Sequence, residues 1–304
     1  METVLKNRKN KTGPLFKGRL LSAVFYIAAG LFAVICLYPF LQVFISSITE
    51  EKTLLAEGYK LIPGKLSFEA YKIVFSSRAI WDSYLVTVFI TVAGTALSLL
   101  ITAMAAYALS GQRLKYRNAV NFFFYFTMLF NGGLVASYIL ITKYLKLANT
   151  VWVYILPASF NVWNCFLLRN FFNEISNSLV ESAKLDGAGH TIVFIRIVLP
   201  LSLPALATIC LFQAVAFWNE WGTGLLYISN EKLYTLQYRV VKLIQSIDEA
   251  SRLASSGVAG QASAAPANTI RLATSIVTIG PIIFLYPFLQ KYFVAGLRVG
   301  GVKG

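Results

Sequence analysis

Long stretches without a charged side chain set the outer bounds on what this chain can fold into. Such runs extend over Leu20–Ile45, Ser83–Leu109, Ala119–Thr142, Val151–Leu168 and Leu272–Leu289, and a further run, Leu201–Ile228, carries one charge, Glu220. Each is long enough, as a helix, to cross a hydrocarbon layer about 30 Å thick. Hydrocarbon offers a backbone no hydrogen-bond partner, so only helices and closed barrels span it. The runs are continuously apolar and do not alternate in short segments as barrel strands do, so the expected fold is an all-α membrane protein with six transmembrane helices.

Composition agrees. Hydrophobic residues make up 57% of the chain and charged residues 13%, against about 25% charged in an average soluble domain. A net charge of +14 raises the question of nucleic acid. The basic residues are scattered between apolar runs and form no stripe on a polar domain, so no nucleic-acid partner is expected. Cys36, Cys165 and Cys210 fall in separate runs with no CxxC, which implies packing residues and no metal site.

Charge also orients the chain. Lys6, Arg8, Lys9, Lys11, Lys17 and Arg19 precede a run too long for a cleaved signal, which makes it an anchor with its basic flank inside. The expected organisation is a cytoplasmic segment 1–19, a transmembrane domain 20–293 and a cytoplasmic tail 294–304, with both termini cytoplasmic. Within the domain lie an inner loop, 173–200, and non-helical outer loops, 46–81 and 229–268, the second ending in a Ser-, Gly-, Ala- and Pro-rich strip. LeuTyrProPheLeuGln occurs twice, at 37–42 and 285–290, without matching flanks, so it reads as coincidence, with Pro39 and Pro287 at helix ends or kinks.

Within the inner loop, Glu181–Pro200 reads as the least membrane-like cytoplasmic segment. Ser178–Leu185 reads as a short helix with Leu179, Ala183 and Leu185 on one side and Glu181, Lys184 and Asp186 facing solvent or a partner. Gly187 and Gly189 end it, and Thr191–Val198 restarts a helix toward Pro200 and Pro204 at the start of the fifth run. Glu181, Ser182, Ala183, then Asp186, Gly187, Ala188, and later Leu199 and Pro200 resemble the EAA motif of ABC importer permeases, with Ser182 in place of the usual second alanine. That resemblance implies a coupling helix that docks on an ATPase subunit. The six runs, PheTrpAsnGluTrp at 217–221 and the C-terminal GlnLysTyrPheValAlaGlyLeu are similar to the second permease subunit of the maltose-type carbohydrate group. MetLeuPheAsnGlyGlyLeu at 128–134 resembles its oligosaccharide/aldouronate branch.

The resemblance implies a bacterial cytoplasmic-membrane protein that carries a sugar or oligosaccharide. Its implied partners are a homologous permease subunit in a heterodimer, two ATPase subunits, an extracytoplasmic solute-binding protein and membrane lipid. ATP and Mg would be held by the ATPase subunits, with no cofactor on this chain. Gly64-Lys65 lacks the GxxxxGK[ST] pattern, which fits a transport subunit without its own ATPase site.

Candidate path residues are Tyr125, Asn131, Gly132, Tyr138, Trp163, Asn164, Trp218, Asn219 and Glu220, since aromatic rings stack on sugar faces and amides satisfy hydroxyls. Each has a second reading: the aromatics as interfacial belt or packing residues, the Asn131-Gly132-Gly133 break as a close-packing contact, and Glu220 as a water-reached interfacial acid. Leu233–Arg239 resembles the family's loop that meets the solute-binding protein, or else lies on the membrane as an amphipathic segment. An ion-coupled secondary transporter is the alternative, and it would need buried ionisable pairs where only Glu220 is available. An intramembrane metalloprotease would need metal ligands, and His190 is the single histidine.

Overall fold

The computed structural model describes residues 15–111, 114–255, 268–281 and 283. The expectations for the first fourteen residues, for most of the Ser-, Gly- and Ala-rich strip, for the second LeuTyrProPheLeuGln and for the C-terminal tail lie outside them. The described chain is helical throughout, apart from one isolated antiparallel bridge between Thr49 and Leu66. Two compact units divide it, Met1–Ala70 with Pro266–Ile276, and Tyr71–Ala265 with Val277–Gly304.

In the first unit α1 (Leu15–Ser47) is a single helix that runs through Pro39. Its segment Ser22–Ser47 is long and apolar enough to cross a membrane. Phe25 and Phe32 on it are 67% and 69% exposed, a surface that calls for hydrocarbon or another chain. The segment after α1 is not the non-helical loop expected. It forms α2 (Glu51–Glu57) and, spanning the boundary of the two units, α3 (Glu69–Ser76). The Glu51 carboxylate accepts hydrogen bonds from Asn268 N (3.1 Å), Asn268 Nδ2 (2.9 Å) and Thr269 N (2.8 Å), satisfying the orphan amides at the start of helix 268–281.

The second unit is built around α4 (Arg78–Ser110), the other helix able to span by itself. Its buried face includes Ser83, Thr87, Gly94, Thr95, Ser98, Thr102, Ala103 and Ala106, a small-residue stripe. Between helices in hydrocarbon, no hydrophobic force drives association, so close packing of small residues carries the contact. Toward its C-terminal end, Ala103, Ala106 and Leu109 pack with Cys165, Leu168, Phe172, Val193, Ala205 and Ile209, and nearer its start Ile90 packs with Ile141, Tyr154 and Ile155.

The third, fourth and fifth runs are interrupted. The third is α5 (Arg117–Leu129) and α6 (Gly133–Ile139), the latter continued by a π-helical turn, Leu140–Tyr144. These two limbs bend by 110° at the Phe130–Gly132 break. The fourth is one turn, α7 (Trp152–Ile155), an irregular stretch containing Pro157, and α8 (Val162–Glu174), which runs past Leu168 and so carries Arg169.

Next come α9 (Asn177–Leu185) and α10 (His190–Val193), the latter extended by a π-helical turn, Phe194–Val198, and by Leu199–Leu201. Pro200 has no amide to offer and would crowd the carbonyl four residues back, and the widened turn before it relieves both problems. The segment His190–Leu201 meets α12 (Leu203–Trp218) at 81°. The fifth run then breaks before α13 (Gly222–Tyr227), and the second expected outer loop contains α14 (Leu236–Ser255). In the last run the described helix starts at 268, ahead of Leu272.

Gln213 on α12 donates to the Ser98 hydroxyl of α4 at 2.6 Å, both side chains buried. Ser98→Ala should therefore lower the thermal midpoint of the detergent-solubilised protein by a few degrees, on the order of 1 kcal/mol, because it strands a buried amide. The double change Ser98→Ala with Gln213→Leu should recover most of the loss. Equal midpoints for wild type and Ser98→Ala would remove this bond from the packing account.

Candidate functional site

Three groups of side chains organise the second unit: those at the chain breaks, those at the N-terminal end of α4, and the α9–α10 hairpin at its C-terminal end. At the breaks, polar side chains replace lost helical hydrogen bonds. Asn131 Oδ1 accepts from Gly133 N (2.8 Å), and Gly133 sits at φ 85°, a left-handed conformation that costs glycine little. Asn161 Oδ1 accepts from Asn164 N (3.0 Å) at the start of α8. Glu220 Oε1 accepts from Thr223 N (2.7 Å), its carbonyl accepts from Thr235 Oγ1 (2.7 Å), and Asn219 Nδ2 donates to Val215 O (2.9 Å).

The candidate path residues separate accordingly. Asn131, Asn219 and Glu220 cap breaks, and Gly132 lies inside one. Trp218 is buried and donates from Nε1 to Thr278 O (3.2 Å), with its ring edge-on to Tyr84 at 6.3 Å. Tyr138 stacks on Tyr227 at 5.6 Å. Asn164 is buried, whereas Tyr125 and Trp163 are exposed. Among the described residues no hydrogen bond or ring contact joins Tyr125, Trp163 and Trp218 to one another, so these residues do not form one site within this chain.

The N-terminal end of α4 gathers Asn149, which the sequence did not single out, and Arg239 of the Leu233–Arg239 segment that it did. Asn149, at φ 57°, accepts through Oδ1 from Ser229 N (2.7 Å), Ser229 Oγ (3.0 Å) and Asn230 N (3.1 Å), and donates from Nδ2 to Ser229 Oγ (2.7 Å). Arg239 donates to Ser83 Oγ (2.8 Å) and Glu231 O (2.7 Å), with its guanidinium 5.2 Å from the Tyr234 ring centroid. Thr87 accepts from Leu236 N (2.9 Å) and donates to Ser83 O (2.8 Å), so one hydroxyl ties the start of α14 to α4. The sequence signal was faint: Asn149 is a short amide in a polar turn, a residue type that tolerates positive φ.

At the other end, α9 closes with a complete Schellman cap. Ala188 N donates to Ala183 O (2.9 Å) and Gly187 N to Lys184 O (3.1 Å), with Gly187 at φ 84°. Asp186 is the C-cap, and Ser182 Oγ donates to Leu179 O (3.2 Å). Val180, Ala183, Ala188, Ile197 and Leu199 pack on the core of α4, α8 and α12, and Pro200 lies in the turn that leads into α12.

The faces of α9 differ from expectation. Leu179 is 48% exposed and Leu185 89% exposed, while Lys184 is half-buried. Apolar side chains therefore sit on the outward face beside Ser182 and Asp186, and the inward face is made by Val180, Ala183 and the Lys184 stem. Between α9 and the ends of α4, α5 and α8 lies a cavity of about 810 Å³ lined by residues that include Tyr107, Arg117, Asn173, Glu181, Lys184 and His190. Tyr107 Oη donates to His190 O (3.3 Å), and its ring packs on Phe194 at 4.9 Å.

A chain of apolar helices, with breaks capped by its own polar side chains and a capped hairpin presenting leucines outward, has the build of a helical membrane protein. Residues 98–299 match the family described as binding-protein-dependent transport system inner membrane component, and this chain belongs to that family. It is 39% identical over 288 residues to the polygalacturonan/rhamnogalacturonan transport system permease protein YtcP of Bacillus subtilis (strain 168), covering 95% of this chain and 100% of that protein.

Among solved structures it is similar, at 31% identity and a TM-score of 0.79 over 94% of this chain and 100% of the other, to a chain of a bacterial ABC transporter involved in the import of the acidic polysaccharide alginate. A second likeness, at 17% identity and a TM-score of 0.55, covers 91% of this chain and 96% of a chain from a bacterial alginate ABC transporter in complex with an alginate pentasaccharide-bound periplasmic protein, and shows the fold alone.

Two outcomes test this geometry. Gly187→Val places a β-branched residue in the left-handed region, at a cost of about 1–2 kcal/mol. Amide exchange across 183–188 should accelerate by roughly fivefold to thirtyfold, with exchange in α4 unchanged. Asn149→Ala should raise proteolysis within 229–235, since its Oδ1 is the acceptor for the amides of Ser229 and Asn230; protease resistance equal to wild type would deny Asn149 that anchoring role.

Proposed function

We propose that this permease crosses the bacterial cytoplasmic membrane six times with both termini inside, each of the three interrupted runs still accounting for one crossing. The α9–α10 hairpin then faces the cytoplasm, and the Asn149–Arg239 cluster faces the outside. The chain is the permease of an ABC importer for oligosaccharides or polysaccharides. We assign it a homologous permease as its partner in enclosing the path, two ATPase subunits that bind ATP and Mg, and a solute-binding protein that delivers substrate to the outer end. The chain itself contributes transport geometry and no ATP hydrolysis.

The observation that carries the coupling reading is Leu185, 89% exposed on a glycine-capped helix whose Val180 and Ala183 pack on the core. An apolar side chain so displayed on a rigid polar hairpin calls for a socket on a partner. Glu181, Ser182 and Asp186 flank it and set the polar contacts around the docked helix, while Ala183, Ala188, Leu199 and Pro200 connect it to α12. Closure of the ATPase pair on ATP would push α9, and through the shared core it would tilt α8 and α12 against α4.

The substrate we assign is an oligosaccharide rich in uronate carboxylates, the chemistry common to the polygalacturonan and alginate named for the two similar proteins. The exposed Tyr125 and Trp163 are the residues of this chain we assign to the path, where their rings can be completed by the second permease.

Co-expression with candidate ATPase subunits tests the coupling reading. Leu185→Asp should weaken the association by about 30-fold, the scale of a lost hot spot near 2 kcal/mol, and Glu181→Lys should reduce substrate-stimulated ATPase activity. A chain that transports alone and ignores both changes would be an ion-coupled carrier instead. In proteoliposomes with the binding protein, oligogalacturonate should be taken up in preference to a neutral oligosaccharide of equal length, and the reverse preference would refute the substrate class.

A further inference from the structure

The cavity of about 810 Å³ beneath α9 has an anion-binding character that the coupling role does not use. Arg117 and Lys184 line it, with His190 beside them, and Glu181 is the one carboxylate among the described lining residues. Among the described residues neither Arg117 nor Lys184 pairs with a carboxylate, the ion pairs being Lys60–Glu57 and Lys65–Glu50 elsewhere.

Two helices also begin at this cavity, α5 at Arg117 and α9 at Asn177, and neither start has a side-chain cap or an acidic residue in its first turn. Helix starts carry a partial positive charge and unpaired amides. The C-terminal ends of α4 and α8 reach the same space and offset the helix starts, so the positive charge comes from Arg117 and Lys184, set in a volume large enough for a small ligand. Leu114, Phe172, Ile175, Val180 and Val198 give the cavity an apolar wall as well.

We propose that this cavity binds the phosphate-bearing headgroup of an anionic phospholipid from the inner leaflet. Phosphate is the shared chemistry, and the apolar wall selects the lipid as its source over free phosphate. The proposal rests on the cytoplasmic placement of the hairpin given above, which sets the cavity at headgroup depth beside the ends of α4 and α8. Basic pockets between membrane helices on this side are suited to such headgroups. A bound lipid would brace α9 against α4 and α5, so anionic lipid would stiffen the element that receives the ATPase stroke.

The test uses the intact permease–ATPase complex in nanodiscs of phosphatidylcholine with added phosphatidylglycerol, counting retained phosphatidylglycerol by native mass spectrometry. Wild type should hold it, and Arg117→Gln with Lys184→Gln should reduce retention by about 25-fold, each basic residue near the surface contributing roughly fivefold. Arg117→Lys with Lys184→Arg should restore it, which separates lost charge from lost fold. Excess inorganic phosphate should not displace the lipid. Equal retention in wild type and the Gln variant, or displacement by inorganic phosphate, would overturn the proposal. Copurification of the ATPase subunits is scored in the same samples, so a failure of the coupling reading appears separately.

Discussion

Hydrocarbon supplies no hydrogen-bond partner to an interrupted backbone, and the architecture of the second unit follows from how this chain meets that constraint. Helix α4 meets it by being continuous over Arg78–Ser110. The runs around it are broken, and polar side chains at the breaks supply the missing partners. Asn131, Asn161 and Glu220 each accept from an amide two or three residues on. Breaking a helix in this way leaves short limbs that can be aimed separately, as at the 110° bend after α5 and the 81° bend before α12. A carrier needs limbs of this kind, because a bundle of unbroken helices offers little that can tilt independently.

The small-residue face of α4 links the two ends of the unit. At one end Ser83 and Thr87 hold Arg239 and the start of α14. At the other, Ala103, Ala106 and Leu109 share a core with α8, the hairpin and α12. On the proposed coupling role, a displacement of α9 would pass into α8 and α12 through this shared core, with α4 as the member they move against. The Schellman cap at Gly187 closes the end of α9, and a frayed end would absorb such a displacement.

Much of this was legible in residue order. Gly187 marked the turn of the hairpin, Ser178–Leu185 differs from α9 by one residue at its start, and Thr191–Val198 lies inside the helical segment that follows. Apolarity located the runs but could not report their continuity, because a run of Phe, Leu and Val reads alike whether or not it bends. Asn131-Gly132-Gly133 and Pro157 carried the signal for two of the breaks. The face of α9 was misassigned because pattern reading turns every leucine toward its own chain, whereas Leu179 and Leu185 lie on the exposed face. The candidate path residues stay dispersed because Asn131, Asn219 and Glu220 are spent capping breaks while Trp218 is buried in packing.

The most direct test of the account is the position of Leu185 in the assembled transporter. In a variant with Cys36, Cys165 and Cys210 replaced by serine and Leu185→Cys introduced, a bifunctional thiol reagent added to inside-out membrane vesicles should join residue 185 to the ATPase subunit. A membrane-impermeant maleimide added to intact cells should leave it unlabelled. Labelling from the outside of intact cells, or the absence of any ATPase adduct in a complex that still hydrolyses ATP in response to substrate, would contradict the placement of α9 as the coupling element.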